Sequence, residues 1–287
     1  MTKKGIDISR YQGTPDFAKL KNEVDFVIIQ AGFGKYSYQK DAQFERNYAE
    51  CKKYGIPVGA YWFSYAASAP DAIYEATACA EVIKGKQFEY PIYFDIEGSA
   101  CSGDVSGKCR NFCEELEKRG YFSGIYISRS PAQQYLNADV CKNYALWLAE
   151  YGGALNWGGA PAGMWQNSAS GRFSGISGDV DTDICYVDYP KLIKSAGLNG
   201  FELPEEPIEE LDSTEKRWYF YGMPKTTENM RGLYAIKQRM KALGHSYLDD
   251  TGGFGGGTEK AVNSLLEEWG YVPNGIIGEN FVRKIMR

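Results

Sequence analysis

Eight short apolar runs with strand character recur across roughly the first 190 residues, and this recurrence limits the fold more than any other feature. They are "GIDIS" (5–9), "DFVIIQAG" (25–32), "PVGAYWFS" (57–64), "YPIYFDIE" (90–97), "FSGIYIS" (122–128), "YALWLAEY" (144–151), "GMWQN" (163–167) and "DTDICYV" (181–187). Helical spacing fills 40–55, 69–85 and 104–120, with Asp71 and Asp104 as helix-start residues and Gly55, Gly85 and Gly120 as stops. Alternating strand and helix argues for a parallel sheet, and runs apolar on both faces argue for strands buried on both sides. Eight strands suit a closed barrel better than an open sheet, although the last three leave little room for intervening helices.

In such barrels the chemistry sits at the C-terminal ends of the strands. Asp7 ends the first strand, and Asp95 and Glu97 end the fourth. Asp181 opens its strand or lies just before it. Residues two apart in a strand face the same way, so Asp95 and Glu97 lie roughly 6.6 Å apart on one side. Two such carboxyls repel when both are ionised, which raises one pKa and separates a proton donor from a charged partner, as glycosidases require. Two other readings stay open. Asp95 pairs with a base while Glu97 caps the next loop, or the acids hold magnesium or calcium together with Asp7.

Composition narrows the chemistry. The single histidine is His245, near the C-terminus and read as a surface residue, so a histidine-based triad or zinc site in the first 200 residues is ruled out. The net charge of −5 disfavours nucleic acid and anionic membranes as partners. No run reaches the ~20 apolar residues of a membrane span. Seven cysteines without a CxxC read as buried, reduced thiols. The chain has 22 tyrosines and 6 tryptophans. Several fall at predicted strand ends: Tyr61, Trp62, Tyr126, Trp147, Tyr151 and Trp165. Their flat faces and polar tips suit pyranose rings, although barrel packing also uses aromatics.

The ordered segments "GIDISRYQG", "DFVIIQAGFGK", "GIPVGAYWFSYA", "YPIYFDIEG", "GIYISR", "LWLAEY" and "MWQNSASGRFSGISGDVDTD" together resemble glycoside hydrolase family 25, the lysozymes of bacteriophages and bacterial autolytic systems. The resemblance covers residue 4 to about 195. It implies an α/β fold, an irregular eight-stranded (β/α)5(β)3 TIM-like barrel. It also implies hydrolysis of the β-1,4 bond between N-acetylmuramic acid and N-acetylglucosamine in peptidoglycan, with no metal and no cofactor. By the family pattern Glu97 is the general acid. Asp95 is its partner, acting on the substrate's acetamido group or on the oxocarbenium-like charge, while Asp7 and Asp181 flank the site. Tyr61, Trp62, Tyr126, Trp147 and Gln166 match positions lining the groove. Asp183 departs from the pattern, which often has asparagine there, and is read as an extra charge near the site.

The expected organisation is a catalytic barrel over 1–198, an acidic, proline-bearing linker over 199–214 and a small helical domain over 215–287. The tail motifs "GGFGGGT" (252–258) and "NGIIG" (274–278) resemble a small peptidoglycan-binding module, in which Leu265 and Leu266 replace the usual "FQ". A packing or dimerisation role for the tail is the alternative. The N-terminus has no apolar h-region. The expectation is therefore a phage endolysin made in the host cytoplasm, which reaches the wall after release and lyses the cell. A bacterial autolysin, a chitinase-like glycosidase and a non-catalytic wall-sugar binder are the other readings.

Overall fold

The computed structural model describes residues 2–202, 231–249, 254–270, 272–273, 275 and 277–285. Residues 203–214 of the expected linker lie outside the described residues, as do parts of the two tail motifs.

Eight strands close into a barrel in sequence order. They are β1 (Lys3–Ile8), β2 (Phe26–Phe33), β3 (Val58–Phe63), β4 (Ile92–Asp95), β5 (Ser123–Ser128), β6 (Ala145–Ala149), β7 (Met164–Gly171) and β8 (Val180–Cys185). The first seven pair in parallel, whereas β8 runs antiparallel to both β7 and β1. The irregular eight-stranded barrel is as expected, and the parallel pairing that strand–helix alternation argues for stops at the last strand. Its connection from β7 is too short for a crossover helix, and a short connection returns the chain antiparallel.

Period-2 alternation divides each strand between two cores. The outward set, including Ile6, Val27, Ala60, Trp62, Phe94 and Leu146, packs under the surrounding helices. The inward set, including Phe26, Ile28, Tyr93, Tyr126, Trp147 and Met164, fills the lumen. Lumen glycines make room for lumen aromatics. A Cβ on Gly5 would lie 2.4 Å from the Phe26 ring, and one on Gly124 would lie 2.6 Å from the Tyr93 ring.

Helices α1 (Phe17–Leu20), α2 (Phe44–Tyr54), α3 (Ala69–Ile83), α4 (Val105–Glu117), α5 (Arg129–Tyr135), α6 (Ala138–Asn143) and α7 (Tyr189–Ser195) accompany the barrel. Asp104 caps α4 as expected, accepting from the Gly107 amide at 2.8 Å. Asp71 is not the cap of α3. Ser68 holds that position and Asp71 is its capping-box partner. Gly55 ends α2 in the left-handed conformation, φ 67°.

At the barrel base, Asn199 is buried with φ 53°. Its side chain accepts from the Phe122 amide and donates to the Phe88 and Tyr90 carbonyls. The residue expected to begin the linker is thus stitched into the base of β4 and β5.

The tail contributes α8 (Arg231–Ala242), α9 (Gly256–Glu268) and α10 (Glu279–Ile285). Leu233, Ile236, Met240, Val262 and Phe281 are buried there, and so are Leu265 and Leu266, which act in packing. His245 is buried, its Nδ1 3.3 Å from the Tyr247 hydroxyl, contrary to the surface position expected for it. Among the described residues no helix is long and apolar enough to cross a membrane.

Candidate active site

The acids predicted from separate segments meet at one end of the barrel. Asp7 is the penultimate residue of β1 and Asp95 ends β4, both on the lumen face, and Glu97 continues the β4 alternation in extended backbone. Because β8 is antiparallel, its N-terminal end lies beside the C-terminal end of β1, and Asp181 stands directly opposite Asp7. Asp183, on the same face of β8, completes a set of five carboxyls.

The reading in which Asp95 pairs with a base and Glu97 caps the next loop fails. Glu97 begins a short 3-10 turn, Gly98–Ala100, without capping it through its side chain. Asp95 is buried, its Oδ1 meets no hydrogen-bond partner, and no ion pair joins either acid among the described residues. No group of three described acids, histidines or cysteines is placed to hold a metal ion.

The acids are graded by depth. Asp7, Asp95 and Asp183 are buried, whereas Glu97 and Asp181 are half-buried. Burial is the largest cause raising Asp95 well above the usual carboxylate range, with the charges of Glu97 and Asp7 adding to it. Glu97 is raised by burial and then by Asp181. Asp7 is raised by burial and then by Asp181, partly opposed by hydrogen bonds. Burial also raises Asp181.

A polar scaffold holds this end. Gln166 on β7 donates from Nε2 to Asp7 Oδ2 at 2.8 Å and accepts on Oε1 from the hydroxyls of Tyr126 (2.9 Å) and Tyr151 (3.0 Å). The Trp147 indole donates to Asp183 Oδ1 at 2.8 Å, and its ring packs against Tyr61, Tyr93 and Tyr126. Tyr126, Trp147 and Gln166 are buried, so they form a floor under the acids. Tyr61 is half-buried, and burial followed by the charges of Asp7 and Asp95 raises its phenol strongly. Tyr151 keeps an open ring face, its phenol pushed up to about 12.

Trp62, expected to line the groove, is instead 0% exposed on the outward face of β3. Its ring covers Gly32, where a Cβ would lie only 2.5 Å away, and its Nε1 donates to the Gly34 carbonyl. It follows Tyr61 directly, so the alternation that sends Tyr61 inward sends Trp62 outward.

The family model of the glycosyl hydrolases family 25 matches residues 6–176. The chain belongs to that family. An autolytic lysozyme of Clostridium acetobutylicum is 31% identical over 183 residues, covering 63% of this chain and 55% of that protein. The modular autolysin LytC of Streptococcus pneumoniae, solved in complex with a synthetic peptidoglycan ligand, superposes with a TM-score of 0.58 at 30% identity, over 64% of this chain and 47% of that one. The CTP1L endolysin superposes with a TM-score of 0.61 at 30% identity, over 68% and 70% of the two chains. The chain thus spans about half the length of the first two relatives.

Two further residues of this family 25 barrel stand at the site or beside it. Asp183, expected as an extra charge near the site, is buried on β8 two residues from Asp181, and that spacing is its signal in the sequence. Lys108 was not singled out. It is fully buried on α4 and donates from Nζ to the Ala100 carbonyl (2.9 Å) and the Ser102 carbonyl (2.8 Å), in the loop that follows Glu97. A lysine among Val105, Cys109, Phe112 and Cys113, on the apolar stripe of the helix, is the signal that marks it.

Proposed function

We propose that the chain is a peptidoglycan-cleaving N-acetylmuramidase, hydrolysing the β-1,4 bond between N-acetylmuramic acid and N-acetylglucosamine. The observation that carries this reading is the Asp95–Glu97 pair, set at the barrel mouth with neither an ion pair nor a capping role. Glu97 is the more exposed of the two, and its raised pKa keeps it protonated above the ordinary glutamate range. It donates its proton to the leaving glycosidic oxygen. Asp95, held deeper, hydrogen-bonds the substrate's acetamido group as that group assists departure, with retention at the anomeric carbon. Asp7 and Asp181 orient the site and set its charge, and Tyr61 and Tyr151 offer ring faces to the sugars. The names of the autolytic lysozyme and the peptidoglycan-bound autolysin support this substrate class.

The full reading adds an endolysin context, in which the tail holds the enzyme on the wall and a separate membrane-permeabilising protein releases it from the host cytoplasm. The likeness to the CTP1L endolysin supports it. Pelleting with Gram-positive walls, comparing the full chain with one ended after residue 202, tests the tail: equal pelleting removes its targeting role. A turbidity assay on purified walls beside Glu97→Gln tests the core proposal. Clearing slowed by about 10²–10⁴-fold, with fewer new reducing ends, is the expected result. Equal clearing by both proteins refutes the assignment. Proton NMR of the first-formed anomer tests retention, and an inverted product excludes acetamido assistance.

A further inference from the structure

Asp183 is a buried group that the proposed proton transfer leaves unused. It projects from β8 into the lumen and is 1% exposed. Its Oδ1 is occupied by the Trp147 indole, while its Oδ2 meets no N–H or O–H donor. The register of β8 on β1 sets Asp181 opposite Asp7 and Asp183 opposite Gly5, so the Asp183 carboxyl is the diagonal neighbour of Asp7 on the lumen face, and Asp7 also accepts from Gln166. A hydrogen bond between two carboxyls requires a proton on one of them.

The surrounding groups give no support for a second negative charge. Facing the lumen or its mouth are Asp7 on β1, Gln30 on β2, Tyr61 on β3, Tyr93 and Asp95 on β4 with Glu97 beyond it, and Tyr126 on β5. Trp147 on β6 with Tyr151 beyond it, Gln166 on β7, and Asp181 and Cys185 on β8 complete the ring. None of these side chains is cationic. Two neighbouring buried carboxylates without a cation carry a cost of desolvation and mutual repulsion, and retaining one proton removes the repulsion.

We propose that Asp183 is held as a neutral carboxylic acid sharing one proton with Asp7, and that it positions Asp7 at the mouth of the barrel. Gln166 holds Asp7 from one side and Asp183 from the other, while Trp147 fixes Asp183 in turn. A protonated aspartate here presents the same acceptor and donor as an asparagine, Oδ1 toward Trp147 and a polar hydrogen toward Asp7. Burial and the charge of Asp7 raise Asp183 well above the usual carboxylate range, in agreement with the geometry.

The role in positioning rests on Asp7 belonging to the muramidase site, whereas the shared proton is testable without substrate. Asp183→Asn keeps the donor but cannot titrate, and Asp183→Leu removes the donor. An acid whose folded pKa is raised gives stability that is complete below its unfolded pKa and is lost as pH rises toward the folded one. Against Asp183→Asn, the folding constant of the unaltered chain therefore falls by up to tenfold per pH unit (about 1.4 kcal/mol) from about pH 4 upward. Thermal and denaturant unfolding across that range read this directly, even if Asp183→Leu does not fold. A difference that stays constant with pH overturns the shared proton. On wall substrate, Asp183→Leu loses turnover with KM little changed, and Asp183→Asn restores it. Full turnover by Asp183→Leu, or none restored by Asp183→Asn, overturns the positioning role.

Discussion

Glu97 and Asp181 face each other across the mouth, and the charge of Asp181 contributes to raising Glu97. A general acid with a raised pKa stays protonated above the ordinary glutamate range and loses activity as pH rises through its folded value. Replacing Asp181 with asparagine removes that charge and lowers the Glu97 pKa. The alkaline limb of the kcat profile is therefore expected to move to lower pH in Asp181→Asn, and an unmoved limb contradicts the coupling. Glu117 shows the same physics away from the site. Burial pushes its carboxyl up to about 8, its Oε2 has no partner, and the Ser123 hydroxyl binds the other oxygen. Its stabilising contribution is complete below about pH 4.5 and is lost as pH rises to about 8, at up to about 1.4 kcal/mol per unit. Chemical unfolding of Glu117→Gln from pH 5 to pH 8 is expected to show a flatter stability curve than the unaltered chain.

At the scale of elements, α4 acts on the site through Lys108. The buried ammonium bonds two carbonyls of the loop that carries the chain away from Glu97. Lys108→Met fills similar volume but orphans both carbonyls, at a cost of about 1–3 kcal/mol for each one that water cannot reach. Its expected signature is a lowered melting temperature together with reduced kcat, because the loop it holds begins at the residue after Glu97. A loss of stability with unchanged kcat would separate the loop from the catalytic position. Strand β5 gives a second prediction. At Gly124 a new Cβ meets the Ala145 carbonyl and the Tyr93 ring, both at 2.6 Å. Gly124→Ala is expected to destabilise by about 1–3 kcal/mol through overpacking, measurable by denaturant midpoint.

Across the whole molecule, the barrel gathers five carboxyls from β1, from the end of β4 and the residues beyond it, and from β8, and the buried apolar residues of the tail belong to one cluster with those of the lumen and barrel base. The parts legible in the sequence were those fixed by local rules. Strand positions followed from apolar runs bounded by glycine and polar turns. The Asp95–Glu97 pair followed from alternation within one strand, and the Asp104 cap and the Gly55 stop followed from backbone chemistry at helix ends. Ordered motifs then named the family. Trp62 illustrates the limit of that reading. Its type and place at a strand end suit sugar binding, but its direction depends on the parity of β3 against the barrel axis.

Tertiary structure alone decided the direction of β8, and the site depends on it. Antiparallel entry puts Asp181 opposite Asp7 and carries Asp183 into the lumen beside it. Asn199 and Asp183 share one property: each is a polar side chain whose partners come from elements distant in sequence. Local periodicity reports which residues are buried together within an element. It carries no information about which donor or carboxyl of another element will face them, because that is set only when the sheet closes.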